Sequence, residues 1–527
     1  MDEKSKVRPS LEPEDVQISS ANYLNSNIPV RRSPEPVDLD AEAFKLGKES
    51  DELEDTGVLE DDDGKLGHFR KFTNFLLRWG IETHGIAPVP LSKRTDPRII
   101  QLFWVWFTCN FNILAFGTGS AGPAFFGLGI RDSLVVLLIV DVISCFFPAY
   151  FSVFGPKLGM RGMVQSRFSW GLYGGAIPSA LNVISMMGFL VLNGIIGGQT
   201  IAAVSSKLDD TLGIVILGII SLVITFCGYR VLHWFETYAW IPNFIALPVL
   251  LGLGGKHLDP STFVSVPSPP ASAVLSFATF VASSVISWCT LTPDYGVYHN
   301  DQASERRIFI FTYLGFFVPS ILWHMIGAAF AAAAPGVPAW QAGFEEGNNV
   351  GGLVMGVLAP AKGFGKFLTV LIALSTSGAC APTMYTFGLS AMAVAPFFAR
   401  VPRYVLVIVS EAIFIPLAII GAKKFYSTLV DVLSVIGYWS TLFAVIVLTE
   451  HFLFRKRRWT DYDISQWNES AGLPPGIAAI LAFFQTWYMG PIARAGTGDI
   501  GIITGGVVTL LAYVPLRTAE RKIWPRR

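Results

Sequence analysis

The sequence is short of charge. Only 15% of its 527 residues are Asp, Glu, Lys or Arg, against about 25% in an ordinary soluble domain. A hydrophobic share of 52% and a mean hydropathy of +0.50 accompany that scarcity. A soluble chain of this length would divide into domains of roughly 150 residues, each needing a charged surface. This composition does not supply one and points instead to a polytopic membrane protein. Cysteine is scarce too. The five residues Cys109, Cys145, Cys227, Cys289 and Cys380 all lie in apolar stretches, form no CxxC pair and are odd in number. That argues against a disulfide framework or zinc site and leaves small apolar packing. The chain has no HExxH, no GxSxG with a plausible triad and no paired aspartates on one membrane helix, so enzyme chemistry has no anchor. Its basic residues form no stripe beside exposed aromatics, which argues against nucleic acid as a partner. No metal site or cofactor is expected.

An apolar h-region is missing from the N-terminus, so no signal peptide is expected. Residues 1–67 hold eight Lys/Arg and eighteen Asp/Glu, and the remainder carries the compensating excess of ten positive charges. This first segment reads as a disordered, acidic cytosolic tail. In the juxtamembrane segment 68–98, Phe69, Phe72, Phe75, Leu76 and Trp79 recur at helical spacing, with Arg70, Lys71 and Arg78 between them. That pattern suits a helix lying on the inner membrane surface.

About twelve apolar segments follow, most near the ~20 residues that cross a bilayer. They fall at about 100–127, 133–155, 170–204, 212–229, 237–254, 272–293, 308–334, 364–388, 404–421, 426–449, 475–490 and 500–516. An even number of spans puts both termini on one side. The loops on that side carry 23 of the 31 Lys and Arg beyond the tail, so both termini are expected in the cytosol. Two spans look interrupted. The first contains Phe116-Gly-Thr-Gly-Ser-Ala-Gly-Pro123, and the sixth ends in Ser287-Trp-Cys-Thr-Leu-Thr-Pro293-Asp294-Tyr-Gly296. Glycine and proline destabilise a continuous helix. Corresponding breaks five spans apart point to an inverted-repeat transporter with its site at the midplane.

Polar residues inside the spans are few. Asn182, Met186, Phe189 and Asn193 share one face of the third span. An aromatic face beside a carboxamide can stack a flat ring and bond its edge, since Asn offers both a donor and an acceptor. Trp288, in the sixth-span break, is placed to close the other face. In the eighth span, Ser375-Thr-Ser-Gly-Ala-Cys-Ala-Pro-Thr383 is unusually polar for its depth. Pro382 and Thr383 offer ligand contacts there, although hydroxyls more often bond their own helix. Ionisable residues at membrane depth default to functional candidates. Here they are Asp141, His324, Glu411, Glu236 at the edge of span five and Asp294 at the end of span six. Each has two readings, a coupling-proton site or a structural hydrogen bond, and the sequence does not choose between them.

Further stretches complete the pattern: Glu82-Thr-His-Gly-Ile-Ala-Pro88, Phe151-Ser-Val-Phe-Gly155, Phe235-Glu-Thr-Tyr-Ala-Trp-Ile-Pro242, Pro293-Asp-Tyr295, Met384-Tyr385 with Gly388-Leu-Ser390, and Thr449-Glu-His-Phe452. From about Ile81 to the C-terminus the chain resembles the fungal purine-cytosine permeases of the nucleobase–cation symport 1 family. The resemblance implies an all-α integral membrane protein with a LeuT-like fold. Residues 99–254 would form the first five-helix repeat and 272–449 the second, inverted one. Residues 450–516 would hold a cytosolic loop and two peripheral helices, and 517–527 a basic cytosolic tail. It also implies alternating access, a multi-pass protein of the plasma membrane, a small-molecule substrate and proton symport. The family's third-span Trp–x–x–x–Asn pair falls on Phe189 and Asn193, its sixth-span aromatic on Trp288 and its eighth-span Pro-Asn pair on Pro382 and Thr383. The carboxylate before the fifth span falls on Glu236. The first-span backbone around Gly117–Ala121, with Thr118, Gly119 and Ser120, completes the expected pocket.

Three departures matter. Phe189 keeps a stacking face but lacks the indole N–H. Thr383 lacks the bidentate amide, and a site built for one ring edge rejects another. Gly476 to Gly490 is only 15 residues, about 23 Å of helix, so the eleventh span is short between Phe484 and Gln485; a true shortening and a gap in the gene model both fit. The expected function is import of a small planar heterocycle, a nucleobase first. Vitamin B6 or a nucleoside-like molecule is the alternative, and a nutrient receptor that binds without transport is the reading from another class. The oligomeric state is not encoded in any pattern found.

Overall fold

A computed structural model describes residues 85–226, 238–258, 263, 267–345, 348–401, 403–485 and 496–525, all within the compact unit Phe72–Arg527. The acidic tail, the basic-aromatic stretch 69–79, Cys227 and Glu236 lie outside the described residues. What is described is helical, apart from one isolated bridge between Asp96 and His299.

Helices occupy the described part of each expected span. The first holds α1 (Gln101–Asn110) and α2 (Ile113–Ala124), and the second opens with α3 (Ile130–Ser144). Then come α4 (Ala176–Ala202), α5 (Asp210–Phe226), α6 (Trp240–Gly254), α7 (Ala271–Ile286) and α8 (Glu305–Ala333). Two short helices, α9 (Pro338–Phe344) and α10 (Val350–Leu358), pack together before the eighth segment, which is split into α11 (Lys362–Leu374) and α12 (Ser377–Val394). The chain continues through α13 (Arg403–Gly421), α14 (Phe425–Thr449), α15 (Ile477–Phe484) and α16 (Gly501–Ile523). Among the described residues, seven helical stretches are long and apolar enough to cross a membrane, and Asp210–Thr225 is a shorter apolar helix. Their outer faces expose Ile139, Ile219, Val223, Leu417 and Ile420, more apolar side chain than a water-facing surface carries.

The first span is interrupted, but not where the glycines are. Residues Phe116–Pro123 lie inside α2, and the break falls earlier, at Phe111–Asn112. Asn112 explains the shift. Its backbone is extended, and its Oδ1 accepts the Ala115 N–H at 3.1 Å, capping the new helix. The glycines instead permit close approach. A Cβ on Gly119 would overlap the His324 carbonyl of α8, and one on Gly327 of α8 would overlap the Phe116 carbonyl of α2. Two backbones meet at a pair of small residues, the usual solution for packing helices without a hydrophobic driving force. The sixth-span interruption falls where expected: α7 ends at Ile286, and two 3₁₀ turns carry the chain to Tyr295.

Away from the break, a buried polar cluster ties α16 to the end of α14. Arg517 donates to both Glu450 oxygens at 2.8 Å and to Glu520 at 2.6 Å, and Tyr513 donates to Glu450 at 3.0 Å. Glu520 in turn accepts the Ala478 N–H at the start of α15. The described part of the short eleventh segment is thereby fastened to its neighbours, while residues 486–495 lie outside the described set.

Candidate functional site

The break between α1 and α2, the middle of α4, the end of α7, the middle of α8, the start of α12 and Leu433 of α14 line one cavity. Its free volume is about 40 Å³, room for a few waters and well below the roughly 300–1,000 Å³ usual for small-molecule sites, so a ligand has to widen it. A second depression, between Ser206 and Val215 ahead of and along α5, is open to the surface and has no aromatic lining.

Five expected residues line the cavity: Thr118, Phe189, Asn193, Trp288 and His324. Asn193 is 1% exposed. Its Nδ2 donates to the Phe189 carbonyl at 2.9 Å, one turn back. Its Oδ1 is buried without a hydrogen-bond partner. A buried acceptor left unpaired costs about 1–3 kcal/mol, so this oxygen is ready to take an N–H from a ligand. Phe189 and Trp288 are neighbours, with ring centroids 5.4 Å apart and planes at 39°. Trp106 and Phe316 support Trp288 from behind, each at 5.9 Å. The two expected stacking faces are therefore brought together, but they touch each other and leave no slot between them in this conformation.

His324 and Asp141 were separate candidates in the sequence; the fold joins them. His324 Nδ1 lies 2.8 Å from Asp141 Oδ2, with the side chains 3% and 0% exposed. His324 faces the cavity, and Asp141 stands behind it on α3, outside the lining.

Other expected residues fall elsewhere. Gly119 is pressed against the His324 backbone. Ser120 shares a 2.6 Å hydrogen bond with the Tyr426 hydroxyl on α14. Neither lines the cavity. Thr383 donates to the Ala379 carbonyl at 2.6 Å, and neither it nor Pro382 reaches the lining; Ala379, one turn earlier on α12, does. A back-bonded hydroxyl on a continuous helix has no lone donor left to aim at a ligand. Thr118 lines the wall, but its hydroxyl donates to Leu114 at 3.1 Å. Glu411 is 6% exposed on α13, beside Gly218 of α5, with both carboxylate oxygens unpaired and away from the cavity.

Asp294 lies just past the sixth span and also away from the cavity. Its Oδ1 accepts the Gly162 N–H at 2.7 Å, and its carbonyl accepts from Arg161 at 2.7 Å. The loop after the second span is thus pinned to the sixth-span break. Burial pushes the Asp294 carboxyl up to about 6, against the opposing pull of Arg161 and the Gly162 N–H.

The sequence reading missed the residues around the first-span break. Cys109, Asn110 and Asn112 line the cavity, as do Ser284 and Ser320. Two asparagines two positions apart in an apolar run were the available signal, because Asn caps helices. Glycine and proline drew attention away from them.

A small cavity at broken helices, inside a bundle of membrane-length helices, is the arrangement of a membrane carrier. The chain belongs to the family described as permeases for cytosine/purines, uracil, thiamine and allantoin, whose model matches residues 88–470. It is 32% identical over 475 residues to the purine-cytosine permease fcyB of Emericella nidulans, covering 87% of this chain and 92% of that one. It is 28% identical over 385 residues to the vitamin B6 transporter TPN1 of Saccharomyces cerevisiae, covering 72% and 66%. Its fold is that of Mhp1, a nucleobase–cation symport 1 family transporter solved in a closed conformation with bromovinylhydantoin bound. The TM-score is 0.64 at 18% identity, over 84% of this chain and 96% of Mhp1. The chain is accordingly a membrane transporter and not an enzyme.

Proposed function

We propose that this transporter imports a small planar heterocycle, a nucleobase such as cytosine or a purine, by proton symport with alternating access. The observation that carries this reading is the unpaired, buried Asn193 Oδ1 beside two aromatic rings in the cavity wall. An amide-type ring edge offers an N–H to such an oxygen and a flat face to such rings. The purine-cytosine permease relatives support the substrate class. The excess of Lys and Arg on one set of loops supports cytosolic termini, and the resemblance to fungal permeases supports the plasma membrane. Two inverted five-helix repeats with two peripheral helices remain the architecture we assign to the helices.

Vitamin B6 is the second reading. It is favoured by the TPN1 relative and by Phe189, which lines the cavity where the nucleobase carriers are expected to have Trp. The test is uptake of labelled cytosine, adenine, hypoxanthine, uracil and pyridoxine by permease-null yeast expressing this chain. Saturable nucleobase uptake that collapses with a protonophore is the expected result. Pyridoxine uptake alone would select the second reading. Binding of these compounds without any uptake would make the protein a receptor.

A further inference from the structure

Among the described residues, the contact between His324 and Asp141 is the one place where an ionisable pair at membrane depth borders the cavity. Both side chains are essentially inaccessible, and the ring reaches the cavity wall. With Nδ1 held by Asp141, Nε2 is the ring nitrogen left for a ligand. A neutral imidazole whose Nδ1–H points at a carboxylate offers Nε2 as an acceptor; a protonated one offers Nε2–H as a donor. Asn193 Oδ1 supplies an acceptor in the same cavity. A heterocycle edge carrying one N–H and one carbonyl or ring nitrogen is therefore matched by Asn193 with protonated His324, and mismatched by Asn193 with neutral His324.

We propose that His324, positioned by Asp141, binds the coupled proton and presents it to the ring edge of the substrate. This rests on the proton-symport reading above. The proton adds to the Nε2 lone pair and leaves from the same atom; no other bond forms or breaks. Substrate binding favours the proton and the proton favours the substrate, as linkage requires. Asp141 sits ready as the counter-charge, and its second oxygen is buried without a partner. The other titratable groups facing the pair are few. Cys145, just past the end of α3, and Tyr313 on α8 lie within electrostatic reach of Asp141, and Cys109 of α1 lines the cavity. The sequences of α2 and α7 contain no Asp, Glu, His, Lys, Arg, Cys or Tyr.

The experiment uses the full chain in liposomes with labelled cytosine, and pyridoxine in a parallel arm, under an imposed inward proton gradient. Wild type should accumulate the probe. His324→Gln and Asp141→Asn should each lose about tenfold or more of gradient-driven accumulation, within the usual range of coupling energies. A monodisperse size-exclusion profile shows that each variant folds, and probe–probe exchange, slowed by the altered site, is read for its pH dependence. The pH profile of exchange should flatten in both variants, which a merely structural role would not produce. Variants that accumulate like wild type overturn the proposal and leave proton symport standing. A wild type that exchanges but ignores the gradient overturns both, as does one that moves neither probe. Should the variants fail to fold, wild type is treated with diethyl pyrocarbonate and His324 is read by peptide mass spectrometry. Modification slowed by the probe and accompanied by loss of accumulation is expected; a His324 that modifies without either effect overturns the proposal.

Discussion

Phe189 and Trp288 touch across the cavity, with ring centroids 5.4 Å apart and planes inclined at 39°. A flat ring held between two others needs two layers of carbon contact, about 7–8 Å in all. Substrate entry must therefore part these rings, and Trp288 is the more heavily buttressed, by Trp106 and Phe316. Trp288→Ala should raise KM about tenfold or more, since an aromatic contact is worth about 0.5–1.5 kcal/mol beyond its buried area. Trp288→Phe should recover most of that loss. Uptake kinetics normalised to surface abundance decide it; equal KM for Ala and Phe would remove Trp288 from the stacking role.

Asn193 provides a sharper test because half of its amide is already satisfied. Nδ2 bonds the helix, and Oδ1 has no protein partner. Asn193→Ala removes the free acceptor and costs a ligand hydrogen bond of about 1–3 kcal/mol, so affinity should fall roughly 10- to 100-fold. Because the lost helix bond is backed by the regular ladder, surface abundance should change little. Wild-type kinetics in Asn193→Ala would exclude its central role.

On α12 the geometry separates two neighbouring turns. Thr383 spends its hydroxyl on Ala379, and Ala379 faces the cavity. Thr383→Val should leave uptake within about twofold, as expected for a back-bonded hydroxyl that meets no ligand. Ala379→Leu fills the cavity and should abolish uptake at unchanged surface abundance. Competition assays with the five probe compounds read both variants, and a strong Thr383→Val phenotype would return that residue to the site.

Much of this site was legible in the sequence, for a physical reason. Polar residues are so rare at membrane depth that Asn193 and His324 stood out individually, and together with Phe189, one helical turn from Asn193, and Trp288, in the sixth-span break, they line one cavity. Helical spacing alone put Phe189 beside Asn193. The pairing of Asp141 with His324 was not legible, because 183 residues separate them and no local pattern encodes which helices touch. The first-span break was misplaced because glycine has two uses. Sequence pattern reads it as a helix breaker, whereas Gly119 and Gly327 serve to bring α2 and α8 into backbone contact. The break belonged to Asn112, whose capping side chain is a weaker signal than Gly-x-Gly.

Asp294 should make the fold sensitive to pH. Its carboxyl is raised to about 6, first by burial, above the roughly 3.9 of an exposed Asp. The buried Asp294 carboxyl therefore binds a proton more tightly than the exposed carboxyl of the unfolded chain. Its contribution is complete below about pH 4 and is lost as pH rises through 6. Two units correspond to roughly 3 kcal/mol as an order of magnitude. The melting temperature of purified protein should fall between about pH 4 and pH 6, and Asp294→Asn should flatten that slope. An unchanged slope in the variant would assign it to another group.

The link between α14 and α16 tests what holds the C-terminal helix. Glu450 accepts from Arg517 at two points and from Tyr513, all of them buried, and Arg455 lies 3.4 Å away. Removing one partner strands a charge, which costs about 3–5 kcal/mol, whereas replacing both with apolar groups is often near neutral. Arg517→Met should therefore destabilise the purified protein strongly. Glu450→Met with Arg517→Met should regain only part of the loss, because Arg455 and Glu520 would then lack their partner. A melting-temperature cycle over the two single variants and the double variant measures the coupling. Strictly additive losses would mean that the pair does not act as a unit and that apolar packing alone seats α16.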